Sequence, residues 1–552
     1  MSTTTAGHLI VGQLERAGIK RVYTVPGESF LDVLDGLHGS PITNVVARQE
    51  GGAGFMALAE GRLTELPGVA MVTRGPGAAN AFIAIHTAHQ DATPLILFVG
   101  LIPVADRGRE SFQEFDINAW FGSTAKKVVT LDDAASAARV VDDAIFTALS
   151  GRPGPVVIGL PEDVLVHTVE DVTVEPRKVA RPEPAAADLG ALQQKLQKAR
   201  KPLVVVGGEG WTQESGEQLA AWASRNSVPM VADFRAYDAV PHRSDAYAGY
   251  LGYGRNDANA QRLDDADLLV FVGCVRGDVL SDGYKRGLDA ETVVVNADAN
   301  LLGHFGRVDQ HIIADVTAFA SALASTNALA STNALASTNA AGEREEGWFA
   351  SARAEQLTFS TPQPDGGIGV DLGVAMEVLK KEMDPDAVLT FGAGNHAIWP
   401  ARYLDHNSAN SLAAPRNGAM GMGIPAAVAA SLAYPGRQVI SVAGDGCFMM
   451  NGQEIATAMG YGARFIVLVV DNGIFATIRE HQEAHYPDRP SGTHMTNPDF
   501  AALARSYGGY GERVDRTEDF AAAFRRAVDS GLPALLHLPQ DPTTRSPKTS
   551  TN

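Results

Sequence analysis

Short runs of apolar, mostly β-branched residues recur along the chain, and longer segments with a helical pattern separate them. In the first part of the chain these runs cover residues 21–24, 44–47, 69–73, 95–99 and 156–159. A strand without polar alternation is typical of a parallel sheet that is buried on both faces. Because such strands alternate with helices, the chain is predicted to be an α/β protein built on parallel sheets.

The same pattern returns in two later parts of the chain. Its apolar runs there are residues 203–206, 268–272, 293–296, 388–391, 439–442 and 465–470. A chain of 552 residues is too long for one hydrophobic core, so we predict three doubly wound parallel-sheet domains. Their predicted spans are 1–166, 189–345 and 366–552, with a proline-rich linker at 167–188 and a second linker at 346–365.

A tandem repeat lies near the end of the predicted central domain. Residues 322–339 repeat the hexapeptide Ala-Leu-Ala-Ser-Thr-Asn three times. A period of six matches neither a solenoid nor a heptad. We therefore interpret the repeat as an expanded surface segment at the end of a helix or loop, and we assign it no chemistry.

Charge and composition limit the partners and the compartment. A formal net charge of −19 would repel nucleic acid and anionic membrane surfaces. The uncharged segment 418–436 is rich in Gly, Ala and Pro, so a buried helix is predicted there rather than a membrane span. The first residues lack a signal-peptide pattern, and Cys274 and Cys447 are the only cysteines, so we expect reduced thiols in the cytoplasm, although one disulfide would also be compatible.

Residues 438–475 hold the most informative motif. One apolar strand there ends in Gly-Asp-Gly at 444–446, and a second ends in Asp-Asn-Gly at 471–473. Carboxyl ends of parallel strands meet at one edge of a sheet, where α/β proteins bind ligands. Asp445 and Asn472 would supply the hard oxygen ligands that Mg²⁺ prefers, and Mg²⁺ often shares its shell with phosphate. A magnesium and diphosphate site is therefore predicted, although Gly-Asp-Gly taken alone is more often a plain turn.

The spacing between this Gly-Asp-Gly and Asn472 resembles the thiamine-diphosphate (ThDP) signature of the acetolactate synthase, pyruvate oxidase and 2-keto acid decarboxylase family. Acetolactate synthase large subunits are the most similar members. The resemblance implies ThDP and Mg²⁺ as cofactors, with a pyrimidine-binding first domain, a central domain and a diphosphate-binding third domain. It leaves FAD in the central domain open, because residues 273–278 only loosely resemble the corresponding family segment.

In the third domain the resemblance implies a set of cofactor residues. Asp445, Asn472 and the carbonyl of Ile474 are the implied metal ligands. Met420 is the implied wedge that holds ThDP in its bent shape, with packing in a helical core as the alternative. The implied cofactor-binding residues of this domain are Gly394, Asn395, His396, Gly418, Met420, Gly444, Gly446 and Cys447.

Glu50 follows a strand and opens a helix, where a glutamate is ordinarily a favourable partner for the helix dipole. Its surroundings also resemble the catalytic Glu site of the family. The resemblance implies that Glu50 hydrogen-bonds the cofactor's aminopyrimidine and promotes removal of the thiazolium proton. Residues 73–80 resemble a family loop near the pyrimidine, so the implied cofactor-binding residues of this domain are Pro26, Gly27, Thr73, Pro76 and Asn80.

Four further residues are candidates for the substrate end of the site. Phe-Gln-Glu at 112–114 resembles acetolactate synthases, which implies that Gln113 faces the substrate, and Lys126 aligns with a lysine there. Glu28 stands where those enzymes have no acid, and it is either an added acid or a solvated loop residue. His481, near a position that shapes the acceptor pocket in the family, is either a proton donor or a surface residue.

Together these matches predict an acetolactate-synthase-like enzyme that decarboxylates a 2-keto acid and transfers the acyl anion to a second carbonyl. A non-oxidative 2-keto acid decarboxylase or carbon–carbon lyase is the alternative. A catalytically silent ThDP- or nucleotide-binding subunit is a third interpretation, because fold alone proves no activity. In the family one active centre draws on two subunits, which implies a homodimer or homotetramer with active sites at the subunit interface.

Overall fold

The computed structural model describes residues 2–330 and 344–548, and the side chains of these residues outside 326–330. Its contacts divide the chain into two compact units. The first unit holds the residues up to 180, with 388–394 and 413–539. The second holds 181–387, 395–412 and the residues from 540 onwards.

The first part of the chain forms a six-stranded parallel sheet covered by helices, and a short antiparallel ribbon. Its strands are β1 (Thr3–Thr5), β2 (Arg21–Thr24), β3 (Thr43–Val46), β4 (Gly68–Thr73), β5 (Leu95–Leu101), β6 (Lys127–Thr130), β7 (Pro155–Pro161) and β8 (Thr168–Glu170). Its helices are α1 (Ala6–Arg16), α2 (Leu31–Leu37), α3 (Glu50–Leu63), α4 (Arg74–Asp91), α5 (Ile117–Phe121), α6 (Ala137–Leu149) and α7 (Glu162–Leu165).

This first sheet has the strand order β3-β2-β4-β5-β7-β6, and the separate ribbon pairs β1 with β8. The five strands predicted here from apolar runs are all present, with ends within two residues of the prediction. Strand β6 was not predicted, because it lies at the sheet edge and none of its residues is fully buried. Strand β8 lies inside the predicted linker 167–188.

The central part of the chain forms a second six-stranded parallel sheet, within the second unit. Its strands are β9 (Pro202–Val206), β10 (Met230–Ala232), β11 (Tyr247–Tyr250), β12 (Leu268–Val272), β13 (Glu291–Val295) and β14 (Gln310–Ile312). Its helices are α8 (Ala186–Lys198), α9 (Gln213–Arg225), α10 (Asp257–Asp265), α11 (Val316–Ala330) and α12 (Trp348–Phe359). The order β11-β10-β9-β12-β13-β14 is that of a dinucleotide-binding fold.

Helix α12 corrects one detail of the sequence analysis. It occupies most of segment 346–365, which was predicted to be a linker, and its Trp348 indole N–H donates to the carbonyl of Pro202 at 2.9 Å. The segment therefore packs on the central sheet because its aromatic residue is buried there. The first half of the hexapeptide repeat, 322–330, continues α11, and the rest of it lies outside the described residues.

The last part of the chain forms a third six-stranded sheet. Its strands are β15 (Val388–Phe391), β16 (Leu412–Ala413), β17 (Val439–Gly444), β18 (Ile466–Asp471), β19 (Tyr510–Arg513) and β20 (Ala534–Pro539). Its helices are α13 (Leu372–Glu382), α14 (Ile398–Tyr403), α15 (Gly423–Ala433), α16 (Asp445–Asn451), α17 (Glu454–Tyr461), α18 (Ala476–His485), α19 (Phe500–Ser506) and α20 (Phe520–Asp529). Contacts assign α13 and α14 to the second unit, so the predicted span 366–552 contains residues of both units.

The third sheet repeats the strand order of the first. It reads β16-β15-β17-β18-β20-β19, which matches β3-β2-β4-β5-β7-β6 strand for strand when each sheet is counted from its first strand. In this order the chain reverses direction across the sheet between the first and third strands, which are β2 and β4 in one sheet and β15 and β17 in the other. Ligands of open α/β sheets bind at such a reversal, outside the carboxyl ends of the strands.

Helix α3 joins the two sheets of the first unit. Its residues from Gly51 to Leu63 are all buried, and it packs against α4, β4 and the apolar helix α15. A helix that is buried on every side needs small residues where its neighbours approach closely. A Cβ on Gly54 would lie 2.6 Å from the Cβ of Ala84 on α4. One hydrophobic core therefore includes residues of both sheets.

Two further expectations concern the membrane and the cysteines. Among the residues that the structure describes, no helix combines the length and the apolar character needed to cross a membrane. Segment 418–436 contains the buried soluble helix that was predicted there, α15. Cys274 and Cys447 are both buried, and no disulfide joins them.

The close approach of α3 to β4 gives a stability prediction. A Cβ on Gly68 would lie 1.7 Å from the carbonyl oxygen of Ala57, whereas a Cβ on Gly190 in α8 would meet nothing within 4 Å. Gly68→Ala should therefore destabilise the protein by about 3 kcal/mol through overpacking, and Gly190→Ala should stabilise it by about 0.5–1 kcal/mol through helix propensity. Calorimetric unfolding of both variants checks this, and unchanged unfolding of Gly68→Ala would contradict it.

Candidate active site

Glu50 and Asn80 meet at the carboxyl edge of the first sheet. Glu50 is the first residue of α3, directly after the turn that follows β3. The amide Nδ2 of Asn80 donates to Glu50 Oε2 at 2.9 Å. A Cβ on Gly77 would lie 3.5 Å from Glu50 Oε1, an ordinary contact distance, so Gly77 lies beside the carboxylate. The structure therefore brings together the glutamate and the asparagine that were predicted from separate motifs.

The segment from Arg74 to Asn80 is helical, which corrects the description of residues 73–80 as a loop. Thr73 ends β4, and Arg74 already begins α4. Pro76 is the third residue of this helix, where a missing backbone N–H costs nothing. Asn80 lies in the second turn of α4, on the same helix face as Gly77 and Pro76, because residues three and four apart share a face. From there its amide reaches Glu50.

Gly27 and Glu28 lie beside the start of α4. A Cβ on Gly27 would stand 2.3 Å from the Cβ of Thr73, so only glycine fits there. The next residue, Glu28, forms an ion pair with the guanidinium of Arg74 at 3.0 Å. Arg74 is buried and also binds Glu162 at 2.7 Å, whereas the Glu28 side chain is 68% exposed. Glu28 is therefore held on the exposed carboxyl edge of the first sheet, near Pro26, which is also exposed.

Gln113 lies near the carboxyl edge of the first sheet, whereas the ammonium of Lys126 binds the end of helix α6. The carbonyl of Gln113 accepts from the N–H of Gly75 at 3.2 Å, which ties it to the start of α4. The ammonium of Lys126 donates to the carbonyls of Thr147 and Ser150 at 2.5 and 2.6 Å. These carbonyls lie at the carboxyl end of α6, where a cation is favourable.

Asp445 opens α16 at the carboxyl end of β17, and its side chain is buried. Its carboxylate accepts from the N–H groups of Gly446 at 2.8 Å and Gly473 at 2.9 Å, and from the amide of Asn497 at 2.7 Å. The Gly473 contact brings the end of β18 to Asp445. Asn472, just before it, accepts from the N–H of Ile474 at 3.2 Å. The predicted metal ligands therefore occupy adjacent strand ends.

A second carboxylate, Asp471, adds negative charge at this edge. Asn497 donates to Asp471 at 2.8 Å as well as to Asp445, and the buried imidazole of His537 lies 2.8 Å from Asp471. Burial raises the pKa of Asp445 well above its usual value, and the nearby Asp471 contributes to the rise. Burial also acts to raise the pKa of Asp471, but the hydrogen bonds from His537 and Asn497 bring it below its usual value.

These residues fit a bound cation. The hydrogen-bond donors described for Asp445 are all neutral, so a cation would relieve the cost of burying its charge. Within the described ranges, no three His, Cys, Asp or Glu side chains are grouped to hold a metal by themselves. A set of one carboxylate, one amide oxygen and one carbonyl suits Mg²⁺, which keeps further positions for phosphate oxygens and water.

Helix α16 also anchors the loop that carries Met420. The N–H of Gly421 donates to the thiol of Cys447 at 3.1 Å, and Asn451 donates to the Gly421 carbonyl at 3.0 Å. A Cβ on Gly392 would lie 2.3 Å from the same thiol. Cys447 therefore supports two backbone segments. Met420 is half-buried in this loop, and Gly418 is exposed with a φ of 74° that favours glycine.

The flanking glycines of the Asp445 motif have different surroundings. Gly444 is the last residue of β17. A Cβ on Gly446 would lie 2.7 Å from the ring of Phe475, so this position also requires glycine. The ring of Phe475 therefore packs closely on the first turn of α16, and a helix amino end is a favourable place for an anion. Gly394, which follows β15, is exposed with a φ of 135°.

In the second unit, Asn395 and His396 form one short helical turn. His396 is buried, and burial lowers its pKa to about 3, with the positive charge of Arg235 acting in the same direction. Its Nε2 is buried without a hydrogen-bond partner among the described residues. The imidazole is therefore neutral and has one hydrogen bond still to make, which fits a residue that contacts a polar ligand.

His481 lies on α18, and its side chain is exposed. Its carbonyl accepts a contact from the imidazole Nδ1 of His485, one turn further on, at 2.9 Å. The structure thus places His481 on the open face of the helix that follows Ile474 and Phe475.

Sequence reasoning missed three polar residues around the site: the half-buried Asn497 and the buried His537 and Glu454. Asn497 lies in a loop far from either motif, and no local pattern points to it. His537 interrupts the apolar strand β20, and a polar residue at a buried strand position is a signal that could have been used. Glu454 belongs to none of the motifs of the sequence analysis, although it is completely buried.

The bridging role of Asn497 gives a second prediction. Asn497→Ala removes the one amide that donates to both Asp445 and Asp471, so the two carboxylates repel each other and lose their orientation. Binding of Mg²⁺ with ThDP should weaken by about 10-fold or more. Titration calorimetry measures this, with the exposed neighbour variant Thr496→Ala as the control. Equal affinities of both variants would contradict the assignment.

Comparison with known proteins agrees with this geometry. Models of the thiamine pyrophosphate enzyme family match in three places: the N-terminal TPP binding domain at residues 4–120, the central domain at 189–323 and the C-terminal TPP binding domain at 392–538. Each match lies inside one of the predicted domain spans.

Curated relatives extend over nearly the whole chain. An acetolactate synthase large subunit of Parasynechococcus marenigrum is 30% identical over 97% of this chain and 87% of that protein. An acetolactate synthase of Mycobacterium bovis is 30% identical over 95% of this chain and 86% of that protein. The acetolactate synthase isozyme 2 large subunit of Escherichia coli K12 is 27% identical over 96% of this chain and 95% of that protein. The chain therefore belongs to the thiamine pyrophosphate enzyme family, among the ThDP-dependent enzymes that are similar to acetolactate synthase large subunits.

Proposed function

We propose that the enzyme decarboxylates a 2-keto acid such as pyruvate and transfers the acyl unit to a second carbonyl compound. The main support is the pair of acidic centres at equivalent edges of two sheets with one strand order: Glu50 with Asn80 in the first, and Asp445 with Asn472 in the third. The relatives that carry the acetolactate synthase name support the reaction class.

Each part of the proposed site has a distinct task. Mg²⁺ would be held by Asp445, Asn472 and the Ile474 carbonyl, and the N–H groups at the start of α16 other than that of Gly446 would bind diphosphate oxygens. Bound ThDP supplies the electron sink for the pair of electrons released with carbon dioxide. Glu50 would hold a proton at the ring nitrogen of the aminopyrimidine, with Asn80 fixing its other carboxylate oxygen.

The substrate end would lie at the opening beside α4. Gln113 and Glu28 are both tied to the first residues of that helix, which supports a role for them at the reacting carbon. The proposed transfer has no net redox change, so it requires no electron acceptor such as FAD. The resemblance to the family supports a homodimer or homotetramer in which Glu50 of one subunit faces the metal site of another.

A second candidate is simple decarboxylation or carbon–carbon cleavage. It is favoured by Glu28, whose carboxylate is exposed at this opening and held by Arg74. An added acid there could deliver a proton to the acyl carbon before a second carbonyl arrives, and the product would then be a free aldehyde.

The product distribution decides between these two reactions. Incubation with pyruvate, ThDP and Mg²⁺ should release one carbon dioxide for two pyruvates consumed and give a branched 2-hydroxy-3-keto acid. Carbon dioxide capture and NMR of the mixture measure both products. Free aldehyde as the sole organic product would reject carboligation and favour the second candidate. A panel of other 2-keto acids would then identify the preferred donor and acceptor.

The role of Glu50 gives a separate prediction. Glu50→Gln keeps the size of the side chain but cannot exchange a proton, so kcat should fall by about 10²- to 10⁴-fold. The affinity for ThDP with Mg²⁺ should stay within about threefold of the wild-type value, because the metal ligands are untouched. Steady-state kinetics and calorimetry measure the two effects. Glu65→Gln, exposed just beyond the other end of α3, is the control. Wild-type turnover of Glu50→Gln would reject the proposed role.

A further inference from the structure

Glu454 is a completely buried carboxylate to which the proposed chemistry gives no task. It is the first residue of α17, and its carboxylate contacts the backbone that leads into Glu50. We propose that Glu454 is a positioning residue, which holds residues 48–50 so that Glu50 keeps its orientation. The inference rests on the proposed role of Glu50.

The carboxylate of Glu454 gathers hydrogen bonds at the start of α3. The N–H of Arg48 lies 3.1 and 3.2 Å from its two oxygens, and the N–H of Gln49 is a further donor. The hydroxyl of Thr457 donates to Oε2 at 2.6 Å. Bonds from an N–H to an ionised carboxylate are stronger than neutral ones. A negative charge is also favoured at the amino end of a helix.

Gly52, in the first turn of α3, leaves the space that the Glu454 carboxylate occupies. A Cβ on Gly52 would lie 2.5 Å from Glu454 Oε1, so the carboxylate occupies space that any other residue would fill. Gly52 also donates its N–H to the side chain of Gln49, the residue that caps α3, at 3.1 Å. Glycine in a helix is unfavourable for conformational entropy. Its presence here is explained by the close approach of Glu454.

The same face of α17 also binds the edge strand β3. Tyr461 lies two turns after Glu454, and its hydroxyl accepts from the N–H of Val46 at 2.8 Å. The hydroxyl donates in turn to the carbonyl of Asn44 at 2.8 Å. β3 is an edge strand and needs partners for these outward groups. Helix α17 therefore holds the strand before Glu50 as well as the turn.

The buried carboxylate of Glu454 needs its hydrogen-bond donors in order to carry a negative charge. Burial raises the pKa of Glu454, and the hydrogen bonds from Thr457, Arg48 and Gln49 act against this rise. A buried carboxylate without such donors would be strongly unfavourable. Because α17 follows α16 directly, the segment that begins at Asp445 is connected through Glu454 to Glu50 of the same chain.

Glu454→Gln tests the proposal, since it keeps the size but replaces one accepting oxygen by a donor that faces N–H groups. In the protein without cofactor, hydrogen exchange of the Arg48 and Gln49 amides should become about tenfold faster. With cofactor, kcat should fall by about 10- to 100-fold through misplacement of Glu50. The affinity for ThDP with Mg²⁺ should stay within about threefold. Glu454→Asp, which keeps the charge, should recover part of the turnover.

Glu60→Gln is the matched control for loss of a buried carboxylate. Glu60 lies on the same helix as Glu50, but its partners are the side chains of Arg21 and Tyr23. This variant should lower thermal stability and leave both kcat and the exchange of residues 48–49 unchanged.

Several outcomes would overturn the inference. Unchanged amide exchange in Glu454→Gln would show that the contact is not made. Faster exchange with wild-type kcat would show that the contact is structural only. If Glu454→Gln fails to fold, the same comparison is made with Glu454→Asp, whose wild-type exchange and kcat would also reject the proposal. Failure of the proposed function is distinguishable, because it appears as full turnover in Glu50→Gln.

Discussion

The packing of helix α3 is the constraint on which the site depends. The helix is buried along almost its whole length between β4, α4 and α15, and glycine and alanine allow its neighbours to approach closely. A close-packed helix has little freedom to shift. The core of the two sheets therefore sets the position of the amino end of α3, whereas Asn80 contacts the Glu50 carboxylate and Glu454 contacts the backbone that precedes it.

The first and the third sheet have equivalent topologies, and both contribute acidic residues to the candidate site. Both have the same strand order, and each carries an acidic residue where that order reverses, while Glu50 follows the neighbouring edge strand β3. At the first sheet the reversal carries Gly27, Glu28 and the start of α4. At the third it carries Asp445, next to the end of β18. Carboxyl strand ends offer short loops and helix amino termini, which suit a diphosphate and a metal. Equivalent topology thus provides two complementary halves of a ThDP site.

The sequence was sufficient for the acidic motifs and for many of the buried strands, but it missed the buried strands β10, β11 and β20. Strands such as β5 and β18 are continuous apolar runs, so periodicity finds them. The edge strand β6 lacks such a run because it is only partly buried, and the buried strand β16 is only two residues long. Helix α12 was mistaken for a linker, since its burial rests on Trp348 rather than on an apolar stripe.

The sequence by itself determined the fold class, the cofactor class and the residues Glu50, Asp445 and Asn472 as candidates, because motif spacing and strand patterning are local properties. Tertiary structure alone decided which distant groups support them. Asn497 joins Asp445 to Asp471, and Glu454 reaches the backbone before Glu50. Such contacts join segments far apart in the chain, and hydrogen bonding of a buried group depends on where the fold brings its partner.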